Sequence, residues 1–274
     1  MRKIAILLAA LLLCAGLAGC ADQPASATAQ NGGADDSFVK VQQAGKLVLG
    51  LDDAFPPMGF RDEDNSIVGF DIDLAQAVCD ELGVELECQP IDWNSKEQEL
   101  NTGKIDCIWN GMSINEERKA QMNLSQPYLD NHMALVVRTG EGIASPADMA
   151  GKKLGIQGGS SAADVLEQNT DFNDSLAEVV EFKDNLTALM DLEAKGVDAV
   201  LVDDVVAKYY IAQNDRDFTI LDAMLTEQYA IGFRKTDIAL TDKVNEALNT
   251  LAKNGKLAEI STKWFGSDIS KIGK

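Results

Sequence analysis

Twice along this chain, short apolar runs alternate with segments whose apolar residues recur at helical spacing. No other feature constrains the fold as strongly. Strands separated by helices cannot pair as hairpins; each must cross over to its neighbour, which builds a parallel sheet covered by helices. In the first series "KLVLGL" (46–51) predicts a strand, and "SIVGFDI" (66–72) predicts another that runs into the helix "DLAQAVCDELG". Gly83 ends that helix as a C-terminal glycine does. "VELECQPI" (84–91) is a strand, "SKEQELNTG" a helix, "KIDCIWN" a strand, and "EERKAQM" opens the next helix. "HMALVVR" (132–138) reads as a strand leaving this unit. A second series follows: strands in "KLGIQ" (153–157), "EVVEF" and "VDAVLVD", with helices in "AADVLEQN", "LTALMDLEAKG" and "DVVAKYYIAQN". "QYAIGFRK" (228–235) then reads as a strand returning to the first unit, and two helices close the chain. The expectation is two similar α/β lobes joined by two crossing segments, near 134–138 and 229–234. A local echo supports the similarity: "GKIDCIWN" and "KGVDAVLVD" each carry Gly shortly before aliphatic-Asp-x-aliphatic, each after a helix. Such folds bind ligands at the carboxyl ends of their strands, often in the crevice between lobes.

The first twenty residues stand outside this pattern. Arg2 and Lys3 precede the apolar run "IAILLAALLLCAGLA", too short and too near a small-residue site to read as a spanning helix. The run ends in "LAGC" (17–20), which resembles the bacterial lipobox, cut before a Cys whose thiol takes a diacylglyceryl group. Two acyl chains give stable anchoring. "ADQPASATAQNGGADDS" then reads as a flexible tether. The expected organisation is a signal peptide at 1–19, a lipid-anchored tether at 20–37, lobe 1 at 38–133 and 230–274, and lobe 2 at 134–229. Without the signal the chain holds 22 basic against 44 acidic residues, a net charge of −22. That excess argues against nucleic acid and anionic membrane surfaces as partners. Beyond Cys20 there remain Cys79, Cys88 and Cys107. Cys79 and Cys88 could pair, or all three could be buried thiols. With a single His, His132, and scattered Cys, no metal site suggests itself.

The chemistry gathers where strands run into loops. In "IDCIWNGMSINEER", Asn115 is a good N-cap, yet three residues later, where a capping box places Glu, stands Arg118. A cation in a first turn opposes the helix dipole unless an anion meets both. Gly111 lets backbone approach a ligand, Ser113 adds a hydroxyl and an N–H, and a guanidinium fork suits a planar carboxylate. In the second unit "GIQGGSSAADVLEQ" places Ser160 and Ser161 at a helix start with unpaired N–H groups. It is neither a Walker loop nor a dinucleotide fingerprint. Asp52 and Asp203 follow apolar strands, where carboxylates could meet a ligand amine or cap the next helix. Phe55 and Trp93 could sandwich an aliphatic stem or cover the core.

Taken in order, "GFDIDLAQAVCDEL" (69–82), "WNGMSINEER", "GIQGGSSA", "VDAVLVDD", "YAIGFRK" and "KWFG" resemble the periplasmic or lipid-anchored substrate-binding proteins of polar amino acid ABC importers. These are the family 3 extracellular solute-binding proteins, and the resemblance spans about residues 38–267. It implies a two-lobed periplasmic-binding-protein-like fold (type II) on a two-segment hinge, closing over one free amino acid as a Venus flytrap. It implies that Arg118 binds the ligand α-carboxylate, with Ser113 and Ser161 as further donors to it. Gly111 would lie near the amine, Asp203 would take the α-ammonium, and Asp52, Phe55, Trp93 and Gln157 would line the side-chain pocket. The implied partners are a polar amino acid (glutamine or a basic one first), the permease and ATPase of an importer, and the membrane through the lipid. A monomer, no cofactor and no catalysis are implied. The alternatives are a periplasmic dehydratase-like enzyme on the same fold and a ligand-sensing lipoprotein. One departure is Trp109-Asn110, where many relatives carry Ser or Ala.

Overall fold

The computed structural model describes residues 35–214 and 216–274. The signal, Cys20 and the tether up to residue 34 lie outside the described residues. Two five-stranded mixed sheets organise the rest. The first runs Glu85–Pro90, Lys46–Leu51, Cys107–Ile108, Gly232–Arg234, Met122–Leu124, and its first three strands are parallel. The second runs Glu178–Phe182, Lys153–Gln157, Ala199–Asp203, Leu129–Arg138, Phe218–Tyr229, again with three parallel strands first. Each parallel trio has the same order: the second strand in sequence, then the first, then the third. The structure is thus two-lobed and α/β.

The echo around "KIDC" and "VDAV" has a physical cause. Asp106 and Asp198 each precede the third strand of their trio. Asp106 accepts a hydrogen bond from Val48 N at 2.9 Å, and Asp198 accepts one from Lys153 N at 2.8 Å. Each thereby satisfies an N–H of the first strand of its trio. An arginine from a joining strand completes both corners: Arg234 donates to Ile105 O and Arg138 to Val197 O, both at 2.7 Å. One corner is built twice from the same residue types.

Several elements differ from the sequence reading, among them the helix Ser37–Ala44, which starts inside the expected tether. The helix after the second apolar run starts at Phe70, not after Ile72, and leaves only Ile67–Val68 as strand. Gly69 allows the early start: its φ is +145° and a Cβ there would lie 2.1 Å from Met58 O. The returning segment is two strands, Phe218–Tyr229 and Gly232–Arg234, each in a different sheet. The outgoing strand begins at Leu129 and pairs antiparallel with Phe218–Tyr229 from Leu129↔Tyr229 to Arg138↔Phe218. Cys79, Cys88 and Cys107 are free thiols, and burial pushes Cys79 up to about 12 and Cys88 to about 11. No helix among the described residues is long and apolar enough to cross a membrane.

Candidate functional site

At the strand ends between the sheets lies a tightly closed cavity. All ten residues singled out in the sequence line it, together with Asn110. Its lining includes one buried cation, two buried carboxylates and two aromatic rings.

Arg118 forms the cationic end. Asn115 caps the short helix Glu116–Gln121 by accepting from Arg118 N at 2.7 Å, which leaves the arginine side chain free to fold back along the loop. Its Nη1 donates to Ser113 O at 2.8 Å and its Nη2 to Gly159 O at 3.3 Å. The residue is only 6% exposed. Yet no carboxylate among the described residues lies within ion-pair distance, and burial pulls its pKa below the ordinary value. An uncompensated buried cation is costly. Lys96 sits beside it, equally buried, donating to Gly159 O at 3.0 Å and to Trp93 O at 3.2 Å. Gly159 O therefore accepts from two cations of the other lobe. Asn115 Nδ2 adds a third bond between lobes, to Asp164 at 2.7 Å.

The anionic end is a network. Asp203, 5% exposed, accepts on Oδ1 from Tyr229 OH at 2.6 Å and from Asn131 Nδ2 at 2.5 Å. Glu227 lies next to it. Its Oε1 accepts from the Ser113 hydroxyl, from Ser161 Oγ at 3.1 Å and from Asn131 Nδ2 at 2.8 Å. Burial first, and the Glu227 charge second, hold the Asp203 carboxyl well above the ordinary range. Asp203 has no basic side chain within ion-pair distance among the described residues. Ser160 turns away from this network, donating to Gln157 O at 2.8 Å.

Farther along the cavity, Asp52 accepts from Ala54 N at 2.9 Å and from Gln157 Nε2 at 2.8 Å. Asn185 Nδ2 holds the other end of the Gln157 amide at 2.9 Å. Asp52 has an acid pKa of about 6, raised mainly by burial and further by Asp184 and Asp53. Phe55 and Trp93, both buried, give this region its apolar walls.

This arrangement has counterparts. A profile of the bacterial extracellular solute-binding proteins, family 3, matches residues 47–267. The chain belongs to this family. It is 32% identical over 242 residues to the L-cystine-binding protein TcyJ of Escherichia coli K12, covering 87% of this chain and 90% of that protein. It is 34% identical over 224 residues to the arginine-binding extracellular protein ArtP of Bacillus subtilis, covering 80% and 86%. A solved ABC uptake transporter substrate binding protein from Streptococcus pneumoniae, with bound histidine, matches with a TM-score of 0.84 and 40% identity, over 87% of this chain and 99% of that one.

In this solute-binding protein the Trp109-Asn110 pair has separate duties. Adjacent residues of an extended segment face opposite ways. Trp109 is fully buried against Tyr128, with ring centroids 6.5 Å apart, while Asn110 lines the cavity and accepts from Asp52 N at 3.1 Å. The "GFDIDL" stretch also reaches the site. Asp71, in the first turn of its helix, accepts from Gly111 N at 2.7 Å and from Tyr128 OH at 3.0 Å, so it pins the loop that carries Ser113. Burial pushes its carboxyl up to about 7, against the opposing effect of the bonds from Gly111, Tyr128 and Trp109.

Sequence reasoning missed Glu227, Asn131, Tyr229 and Lys96. One signal was available for two of them. In "TEQYAIG", Glu227 and Tyr229 are two apart on a strand and share a face. Asn131 is paired directly opposite Glu227, a register that no local pattern discloses.

Proposed function

We propose that this protein captures one free polar L-amino acid between its lobes, outside the cytoplasm, and delivers it to the permease and ATPase of an ABC importer. The observation that carries this reading is the pair Arg118 and Asp203. Both are buried in one cavity, opposite in charge, and neither has an ion-pair partner there. An α-amino acid supplies both missing charges at once: its carboxylate meets the guanidinium and its ammonium meets Asp203. The backbone N–H groups at Ser113 and Ser161 would complete the carboxylate end.

Asp52, bonded to Gln157 between Phe55 and Trp93, suits a side chain that brings hydrogen-bond donors. Basic amino acids and glutamine therefore come first, small neutral polar ones next and acidic ones last. Of the similar proteins, one is named for arginine and one was solved with bound histidine, in line with this order, while another is named for L-cystine, which falls outside it. We take the lobes as 38–133 with 230–274, and 134–229. The strand Leu129–Arg138 crosses the first boundary and its partner Phe218–Tyr229 ends at the second, and this supports hinge segments at those two points. The "LAGC" run supports anchoring of the mature chain through lipid on Cys20. Binding without turnover is favoured because His132, the sole imidazole, lies outside the cavity against Thr226.

A thermal-shift screen of the twenty L-amino acids tests the reading. A ligand that binds only the folded state raises the melting temperature. The expected result is a rise with arginine, histidine, lysine or glutamine. No rise with any of the twenty would refute the reading, and turnover of prephenate or arogenate would replace it with the enzymatic one.

A further inference from the structure

Glu227 has no assigned task, and the protons around it suggest one. A serine hydroxyl has a single proton to give. Ser113 gives its proton to Glu227 Oε1. Ser161 shares its proton between Glu227 Oε1 at 3.1 Å and Ser113 Oγ at 3.3 Å, and the carboxylate is the stronger acceptor. Asn131 spends one amide proton on Asp203 and the other on Glu227. Tyr229 spends its proton on Asp203. Every side-chain proton at this end of the cavity is therefore already directed at Asp203 or Glu227. What faces the cavity is lone pairs: the Ser113 and Ser161 oxygens and the remaining oxygen of Asp203. The hydroxyls cannot donate to a ligand carboxylate while Glu227 holds their protons.

We propose that Glu227 is a positioning residue that fixes the direction of the Ser113 and Ser161 hydroxyl protons and so turns this end of the cavity into an acceptor-only pocket for a primary ammonium. This rests on the amino acid reading above and deepens it. An –NH₃⁺ group brings three donors and no acceptor, which complements Asp203 and two oriented hydroxyl oxygens. A ligand lacking that amine leaves a buried set of acceptors without protons, which is strongly disfavoured. Glu227 thus sets discrimination between an amino acid and its deaminated acid without touching the ligand. It sits on the strand Phe218–Tyr229 and reaches Ser113 of one lobe and Ser161 of the other, so the orientation is imposed only when the lobes are together.

The test compares three pairs by calorimetry: L-arginine with 5-guanidinopentanoic acid, L-histidine with 3-(imidazol-4-yl)propanoic acid, and L-glutamine with glutaramic acid. In wild type, each amino acid that binds should outbind its deaminated partner. Glu227→Ala should lower affinity for the amino acid at least tenfold and change affinity for the deaminated acid less than threefold. Glu227→Gln should fall between, because its amide oxygen still accepts, and it serves as the readout should the alanine variant not fold. Ser113→Ala should weaken L-amino acid binding in wild type and add little on top of Glu227→Ala. A merely structural role predicts equal losses for both members of a pair, and that result, or no loss for either, overturns the assignment of Glu227. Should wild type bind none of these three, the same comparison is made with whichever of the twenty L-amino acids it binds and the deaminated acid of that amino acid; binding none of the twenty would refute the underlying reading, and the Glu227 role with it.

Discussion

Arg118→Met separates a ligand-reading arginine from a structural one. Methionine keeps much of the stem volume and removes the charge and its donors. A charged hydrogen bond contributes about 1.5–3 kcal/mol, and a carboxylate left desolvated without its partner adds to the loss. Affinity for any L-amino acid that wild type binds should therefore fall by about 2–4 kcal/mol, roughly 30- to 900-fold. The empty protein responds differently. Removing a buried cation that has no ion pair recovers desolvation free energy, while Ser113 O loses its donor. Gly159 O keeps Lys96 at 3.0 Å. These effects oppose one another, so the melting temperature of the empty protein should move by no more than about 2–4 °C, equivalent to about 1 kcal/mol. The assay is titration calorimetry beside thermal melts with and without ligand. Wild-type affinity in the variant would refute the role of Arg118. A large fall in the melting temperature of the empty protein would show that the guanidinium serves the fold.

Other outcomes follow from the same geometry. Asp52 must lose its proton to meet a ligand cation, and its acid pKa is about 6 in the empty cavity. Affinity for L-arginine should hold above that pH and weaken below it, approaching tenfold per pH unit, with the raised Asp203 steepening the fall. Asp52→Asn should remove its share of the slope, and an affinity constant from pH 5 to 8 would contradict this. Asp71 titrates near 7 in the fold against an ordinary 3.8, so its contribution to stability is full below about pH 4 and lost as pH rises through 7. Asp71→Asn keeps an acceptor for Gly111 N and should flatten that part of the pH dependence of unfolding. A loss above about 1 kcal/mol at pH 8 would show that the carboxylate itself is needed. At Gly111, with φ +56°, a Cβ would sit 2.8 Å from the Phe55 ring and 3.1 Å from the Tyr229 ring. Gly111→Ala should cost about 1–3 kcal/mol in denaturant unfolding and weaken amino acid binding, and an unchanged midpoint would be the contrary result.

Much of the fold could be read from local pattern because the pattern is itself local physics. The alternation of apolar runs and helical segments dictated crossover connections, hence parallel strands in two lobes. Asn115 marked a helix start and Gly83 a helix end through backbone requirements that lie within a few residues. Boundaries were harder. The start at Phe70 depends on Gly69 lying against Met58 O, a contact between segments. The split of "QYAIGFRK" into two strands depends on which sheet each half joins.

The site divides along the same line. Arg118 stood out because it opposed its own helix dipole, and Asp52 and Asp203 because they ended apolar strands. Those signals concern one residue against its neighbours in sequence. Glu227 meets Ser113 across 114 positions and Ser161 across 66, and Asn131 reaches Asp203 across 72. Hydrogen-bond direction is set by which acceptor lies within about 3 Å of a proton, and nothing in the order of residues encodes that distance. Sequence alone placed Arg118, Asp52 and Asp203 at the ends of apolar strands and left open whether they face a ligand or cap a helix. Only the tertiary structure decided that the serine protons point at Glu227 and that the cavity offers that end as acceptors, because both are properties of packing between lobes.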